Sequence, residues 1–376
     1  MQTRQMQWFR EDGWQPAPAL TWTPSVSFVF GARNMLCDPA SLEALRTTFP
    51  DVPLLGCSTA GEICGTTVQD GTLSVTAVRF EHTRLRFARR WVPDRARSRD
   101  AAREIARELA DDDLVSVFVL IDGLRVHGSD VVAGLADVLP PKVVVTGGMA
   151  ADGSEFCTTL VLSEHGLQTH TIVAVGFYGN RLRVGHGSAG GWDPFGPFRR
   201  VTRSSGNVLY ELDGKSALEL YKRYLGEHAA RLPSAALLFP LSVSRTREEP
   251  GIVRTVIAID EAEETLIFGA DIPEGGYAQL MRANVDRLVD GALGAARATL
   301  EGGCAGPTLA MLISCSGRRL VLRNRVDEEI EAVREILGPQ TTLSGFYSYG
   351  EIAPPARGVS SQLHNQTMTL VTLAEE

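Results

Sequence analysis

The chain has 376 residues, 44% of them hydrophobic, and a formal net charge of -8. That length and apolar content suffice for a large core arranged in two or more lobes. The balance is acidic and no Lys/Arg run of nucleic-acid type appears, so nucleic-acid binding has no electrostatic support.

The N-terminus, Met1-Gln2-Thr3-Arg4, has no apolar stretch of signal-peptide kind, and the longest apolar runs, 115–121 and 142–146, are of strand length. A cytoplasmic protein without a membrane span is expected. Cys37, Cys57, Cys64, Cys157, Cys304 and Cys315 form no CxxC pair, which argues against a disulfide framework or a structural zinc site.

In chain order, residues 25–30 read as a strand. Asp38-Pro39 then supplies a helix N-cap with proline at the first helical position, and the helix runs through Leu42, Leu45 and Phe49 to Pro50. Residues 52–55 form a second strand that ends in Gly56. The most basic stretch, Arg84, Arg86, Arg89, Arg90, Arg95, Arg97 and Arg99, reads as a solvated strand face and loop.

The order repeats at strand 114–121, helix 129–139, Pro140-Pro141, strand 143–145 and Thr146-Gly147-Gly148. It repeats again at strand 309–314, helix 327–337, Gly338-Pro339, strand 341–343 and Gly345. Such crossovers favour parallel pairing. Alternating strands follow each turn, at 72–80, at 158–162 with 171–177, and at 366–373.

Between the second and third copies lies a Gly- and Pro-rich join, 185–213. After it come a helix at 216–225, an antiparallel pair at 253–259 and 265–268, and one long amphipathic helix at 276–300. The expected fold class is α/β: two lobes with mixed β-sheets built from repeated strand, helix, strand and glycine-turn units. The lobes divide as residues 25–212 and 213–373.

Catalytic signatures are scarce. Gly185-His186-Gly187-Ser188-Ala189-Gly190 fits G-x-G-x-x-G, but Pro194 and Pro197 follow where a helix must begin, so dinucleotide binding is rejected. There is no Walker A lysine, HExxH or GxSxG elbow. Cys57 and Cys315 read as nucleophiles or as small buried residues; arginines near Cys315 would lower its thiol pKa, but no histidine adjoins either cysteine. The histidines lack metal-ligand spacing. One histidine suffices for haem, and His127 and His186 are the candidates, with a polar loop histidine as the other reading.

The glycine turns are the positive signal, because they let a ligand approach open backbone N–H groups. Gly56-Cys57-Ser58-Thr59-Ala60-Gly61-Glu62-Ile63 matches Gly345-Phe346-Tyr347-Ser348-Tyr349-Gly350-Glu351-Ile352 at G-x-x-x-x-G-E-I. Glu62 and Glu351 could read a ligand ammonium, cap a turn or pair with an arginine. Asp152, after Gly147 and Gly148, could bind ligand or hold its own turn. Phe346, Tyr347 and Tyr349 could wall a pocket or fill a core.

These motifs, with Gly147-Gly148-Met149-Ala150-Ala151-Asp152, Cys315-Ser316-Gly317-Arg318 and the 207–214 segment, resemble the FIST family over nearly the whole chain. The resemblance implies a bacterial intracellular sensor of small ligands, amino acids or related molecules, that is not an enzyme. It implies a FIST N-terminal-type and a FIST C-terminal-type domain and action in trans on a histidine kinase or a cyclic-dinucleotide enzyme. The chain is also similar to the nitric-oxide-sensing FIST proteins, which implies haem b; of the histidines in this chain His186 is the expected axial ligand and His127 the alternative. The ligand-binding residues so implied are Gly56, Cys57, Ser58, Gly61, Glu62, Gly147, Gly148, Asp152, Cys315, Arg318, Phe346, Tyr347, Tyr349, Gly350 and Glu351.

Overall fold

The computed structural model describes every residue except 302, 303 and 305. Three units follow one another, each with an outer strand, an inner strand, a crossover helix, a second inner strand, a hairpin and a returning strand. In the first these are β1 (Gln2–Phe9), β2 (Val26–Gly31), α1 (Pro39–Thr48), β3 (Leu54–Ser58), the hairpin β4 (Glu62–Cys64) and β5 (Thr67–Gln69), and β6 (Leu73–Arg79).

The second has β7 (Arg84–Trp91), α2 (Ser98–Leu109), β8 (Leu114–Ile121), α3 (Gly128–Ala136), β9 (Val144–Met149), the hairpin β10 (Val161–Ser163) and β11 (Gly166–Gln168), and β12 (Thr171–Tyr178). The third has β13 (Leu182–Ala189), α4 (Val285–Glu301), β14 (Leu309–Cys315), α5 (Ser316–Leu322), α6 (Val326–Leu337), β15 (Thr342–Ser348), the hairpin β16 (Glu351–Ala353) and β17 (Gln362–His364), and β18 (Met368–Glu375).

The inner pairs β2/β3, β8/β9 and β14/β15 are parallel, and their registers align Val29 with Gly56, Val119 with Gly147 and Leu312 with Gly345. A Cβ on Gly56, Gly147 or Gly345 would lie 1.9, 1.8 or 1.9 Å from the carbonyl oxygen of that partner. Only glycine fits there, which is why each unit has one at that register.

Each hairpin leaves its own unit. β4 pairs with β15, β10 with β3 and β16 with β9, so the three sheets hold one another cyclically. The exchange ties residues 25–212 and 213–373 through shared sheets. Alternation along the inner strands sends Phe28 and Phe30, Phe118 and Leu120, and Met311 and Ile313 into one core, where Phe30 stacks on Phe346 at 4.6 Å.

Residues 193–282 form an insertion in the third unit with its own core, including Val201, Leu218, Tyr221 and Phe268. Asp213 and Gly214 make a hairpin turn within it, between Val208–Leu212 and Lys215–Ser216. The long helix expected at 276–300 is two elements: strand Tyr277–Arg282, then α4 from Val285. Ala278 and Leu280 alternate inward, and the Asn284 side chain accepts the Arg287 N–H at 3.3 Å to start the helix.

The G-x-G-x-x-G segment is strand β13 and the glycine after it. A Cβ on Gly185, Gly187 or Gly191 would meet the carbonyl oxygen of Thr299, Ala295 or Arg287 at 2.2, 2.0 and 1.9 Å. These glycines let α4 lie close on the strand. The arginine-rich stretch is a paired surface: Arg84 and Arg86 meet Asp111, Arg90 meets Glu104 and Glu108, and Arg99 meets Asp137.

Candidate functional site

The three glycine turns converge beyond the C-terminal ends of the parallel strands. Their backbones close a ring: Ala60 N–H donates to Tyr347 O at 2.8 Å, Ala151 N–H to Ser58 O at 2.8 Å, and Tyr349 N–H to Met149 O at 3.3 Å. Each bond joins two units. The topology thus brings together the motif residues that lie far apart in sequence. A Cβ on Gly148 would press on Ile313, and one on Gly350 on Met149.

The two glutamates that follow the turns face inward. Glu62 Oε1 accepts from the Thr59 hydroxyl, and its Oε2 accepts the Thr72 N–H at 3.2 Å and hydroxyl at 2.9 Å. Glu351 Oε1 accepts from the Ser348 hydroxyl at 2.9 Å, and its Oε2 accepts the Thr367 N–H at 3.2 Å and hydroxyl at 2.9 Å. Burial pushes Glu62 up to about 7 and Glu351 up to about 8, because desolvation penalises the charged form.

Asp152 holds its own loop. Its carboxylate accepts the N–H groups of Phe156, Cys157 and Thr158 at 3.1, 2.8 and 2.8 Å, and the Tyr349 hydroxyl donates to it as well. The Tyr349 phenol is pushed up by burial and by this carboxylate. Phe156 stacks on the Tyr349 ring at 4.6 Å with planes 6° apart, yet is 56% exposed and has a φ of 52°. An aromatic held in that conformation with most of its surface in water is an unusual feature of the rim.

Beside this rim, Arg319 chelates Asp70 with two bonds of 2.6 Å and donates to Ala60 O at 2.6 Å. Arg319 stands outside the residues the sequence points to; a Cβ on Gly61 would lie 2.8 Å from its guanidinium, a closeness that only the fold creates. Arg318 has no exposure and pairs with buried Glu329 at 2.7 Å, whose other oxygen accepts from Tyr347 at 2.6 Å and Ser314 at 3.0 Å. Arg318 also donates to Leu288 O and Gly190 O.

Cys57 and Cys315 are buried, and burial pushes both thiols well above their ordinary value. His127 occupies the N-cap position of α3 without a side-chain capping bond, with Nδ1 3.0 Å from Asp130 and Nε2 3.5 Å from Asp271; the bond to Asp271 raises its pKa. His186 lies mid-strand opposite Val371, half-buried, where desolvation lowers its pKa.

Haem requires an apolar slot beside a neutral imidazole. His127 has carboxylates at both ring nitrogens. The apolar cavities in the central core and in the insertion, lined among others by Phe118 and Met311 and by Phe195 and Tyr221, hold about 10 and 20 Å³ and include neither histidine. The carboxylates at both ring nitrogens of His127 do not fit it to a haem. Among the described residues no group of three or more His, Cys, Asp or Glu could hold a metal ion, and no helix is long and apolar enough to cross a membrane.

Among known proteins, the family model described as the FIST N domain matches residues 25–215, and that of the FIST C domain matches 217–354. An uncharacterized protein of Methanocaldococcus jannaschii is 25% identical over 317 residues, 77% of this chain and 59% of that protein. The chain therefore spans less than two thirds of that relative's length. A crystal structure of cyanuric acid hydrolase from A. caulinodans is 11% identical and covers 96% of this chain and 91% of its own, with a TM-score of 0.34, too low to carry weight.

Proposed function

This chain belongs to the FIST family, whose domains sense small ligands, and we propose that it reports such a ligand in trans to a histidine kinase or a cyclic-dinucleotide enzyme, with no catalysis of its own. The ligand sits at the rim of the axial ring, on the Phe156–Tyr349 stack, between the turns that carry Gly61, Asp152 and Gly350. The observation that carries this reading is that stack, an exposed aromatic fixed on a half-buried one at the point where all three units meet. Glu62 and Glu351 set their turns from behind, and Arg318 holds Glu329, which accepts from Tyr347. A thiol kept protonated by burial is a poor nucleophile, which weighs against Cys57 and Cys315 as catalysts.

The test is a thermal-shift screen of amino acids and related metabolites on the wild type, Phe156→Ala and Tyr349→Phe. A ligand that stabilises the wild type and loses its effect in Phe156→Ala supports the rim. A ligand that stabilises all three equally sinks it.

The second reading is nitric oxide sensing through haem b on His186. It is favoured by one observation, that burial and then nearby Arg357 lower the His186 pKa, the direction that favours the neutral imidazole a metal ligand requires. It requires an apolar slot beside His186, and His186 lines neither the cavity of the central core nor that of the insertion. Titration with haemin decides it: a saturable Soret band lost in His186→Ala supports it, and the spectrum of free haemin alone ends it.

A further inference from the structure

A ring has two faces, and Tyr349 covers one face of Phe156 at 4.6 Å with the planes 6° apart. Phe156 is nonetheless 56% exposed, so its open surface is the outer face, turned to water. Single exposed apolar residues are common on protein surfaces. This one is fixed in place. Its backbone holds a φ of 52°, a left-handed conformation that is unfavourable for phenylalanine, and its N–H donates to the Asp152 carboxylate at 3.1 Å. The ring beneath it is fixed too: the Tyr349 hydroxyl donates to the same carboxylate, and the Tyr349 N–H donates to Met149 O at 3.3 Å. A flat platform set in advance spares a ligand the entropy of ordering it.

The charge behind the platform sets the sign of what it attracts. Asp152 is only 5% exposed. Among the described residues its carboxylate accepts hydrogen bonds from neutral donors alone, the N–H groups of Phe156, Cys157 and Thr158 and the Tyr349 phenol. The arginine of this rim, Arg33, pairs with Glu155 instead. Dipoles therefore stabilise the negative charge of Asp152 without cancelling it. The faces of both rings carry the negative end of their quadrupole, and the bond from the phenol to a carboxylate polarises the Tyr349 ring further. A cation over the outer face of Phe156 gains from the ring and from the carboxylate together.

We propose that the rim binds a flat, positively charged ring of the pyridinium kind, laid on the outer face of Phe156 as the third member of the stack. The inference rests on the rim reading above and adds the shape and charge of the ligand. A neutral ring gains the stacking without the charge, and a compact ammonium gains the charge without the area.

The experiment is a thermal titration of the full chain at constant ionic strength with three probes: 1-methylnicotinamide, a flat cation; nicotinamide, its neutral counterpart; and tetramethylammonium, a cation that is not flat. The proteins are the wild type, Phe156→Tyr and Phe156→Asn. Asparagine adopts the left-handed region more readily than phenylalanine, so Phe156→Asn keeps the loop and deletes the ring. In the wild type and Phe156→Tyr, 1-methylnicotinamide should raise the melting temperature saturably, with a half-saturating concentration about tenfold below that of either other probe. Phe156→Asn should abolish the response. If nicotinamide binds as tightly as 1-methylnicotinamide and Phe156→Asn abolishes both, the charge is overturned and the rim reading stands. Tetramethylammonium binding as tightly overturns the flat shape in the same way. A response unchanged in Phe156→Asn overturns the inference and the rim reading together. No response of the wild type to any probe overturns the inference, and the metabolite screen then decides the rim by itself.

Discussion

Glu62 and Glu351 occupy the same place in two units: each follows its turn glycine, accepts a hydroxyl three residues back, and takes both the N–H and the hydroxyl of the threonine that precedes the returning strand. The relationship gives a pH dependence with a definite sign. An ordinary glutamate here has the value 4.5, and burial raises these two to about 7 and about 8. Between those values the folded state binds more protons than the unfolded one, so stability is full below pH 4.5 and falls as pH rises through 7 and 8. The two carboxyls contribute on the order of 3 and 5 kcal/mol to that fall. Glutamine keeps an acceptor for the threonine N–H and donates to the other hydroxyl, so Glu62→Gln with Glu351→Gln should flatten the denaturation midpoint between pH 4.5 and 8. An unchanged slope would refute the assignment.

The register glycines predict a sharp contrast. Gly56→Ala or Gly345→Ala drives a methyl into the neighbouring carbonyl and should cost more than about 3 kcal/mol or prevent folding. Gly294, in α4, has open space around a Cβ, and Gly294→Ala should stabilise by about 0.5–1 kcal/mol. Urea denaturation of the three variants measures both directions.

The buried pair of Arg318 and Glu329 has no solvent to fall back on. Glu329→Gln leaves the guanidinium without its countercharge and should destabilise by about 3–5 kcal/mol. Arg318→Met should do comparable damage. The double variant should lose less than the sum, and a double-mutant cycle gives the coupling; an additive result would mean the two do not act as a pair.

Thiol labelling separates surface from core. Cys37 and Cys157 are exposed, whereas Cys57 and Cys315 are buried with raised pKa. In native protein at pH 8, iodoacetamide should modify Cys37 and Cys157 within minutes and reach Cys57 and Cys315 only after unfolding. Rapid native labelling of Cys315 would reopen its reading as a nucleophile.

Much of the local structure was legible. The strand at 114–121 coincides with β8, and Asp38 caps α1 through the Ser41 N–H as its spacing with Pro39 implies. Hydrophobic alternation and cap chemistry act over a few residues, so the chain displays them directly. The split of 276–300 was missed because Leu280, Val285 and Leu288 satisfy a helical period across the strand-to-helix break at Asn284. The role of Gly185 and Gly187 also stayed hidden, since what they face is α4, about a hundred residues away.

By itself the sequence determined the three strand, helix, strand units, their glycine turns, and the equivalence of Glu62 and Glu351. Those are properties of short segments and of their repetition. Only the tertiary structure decided that each hairpin joins another unit's sheet and that both glutamates face hydroxyls of their own chain. The physical reason is that burial and hydrogen-bond satisfaction depend on partners brought in from elsewhere in the chain, and no local pattern records which partner arrives.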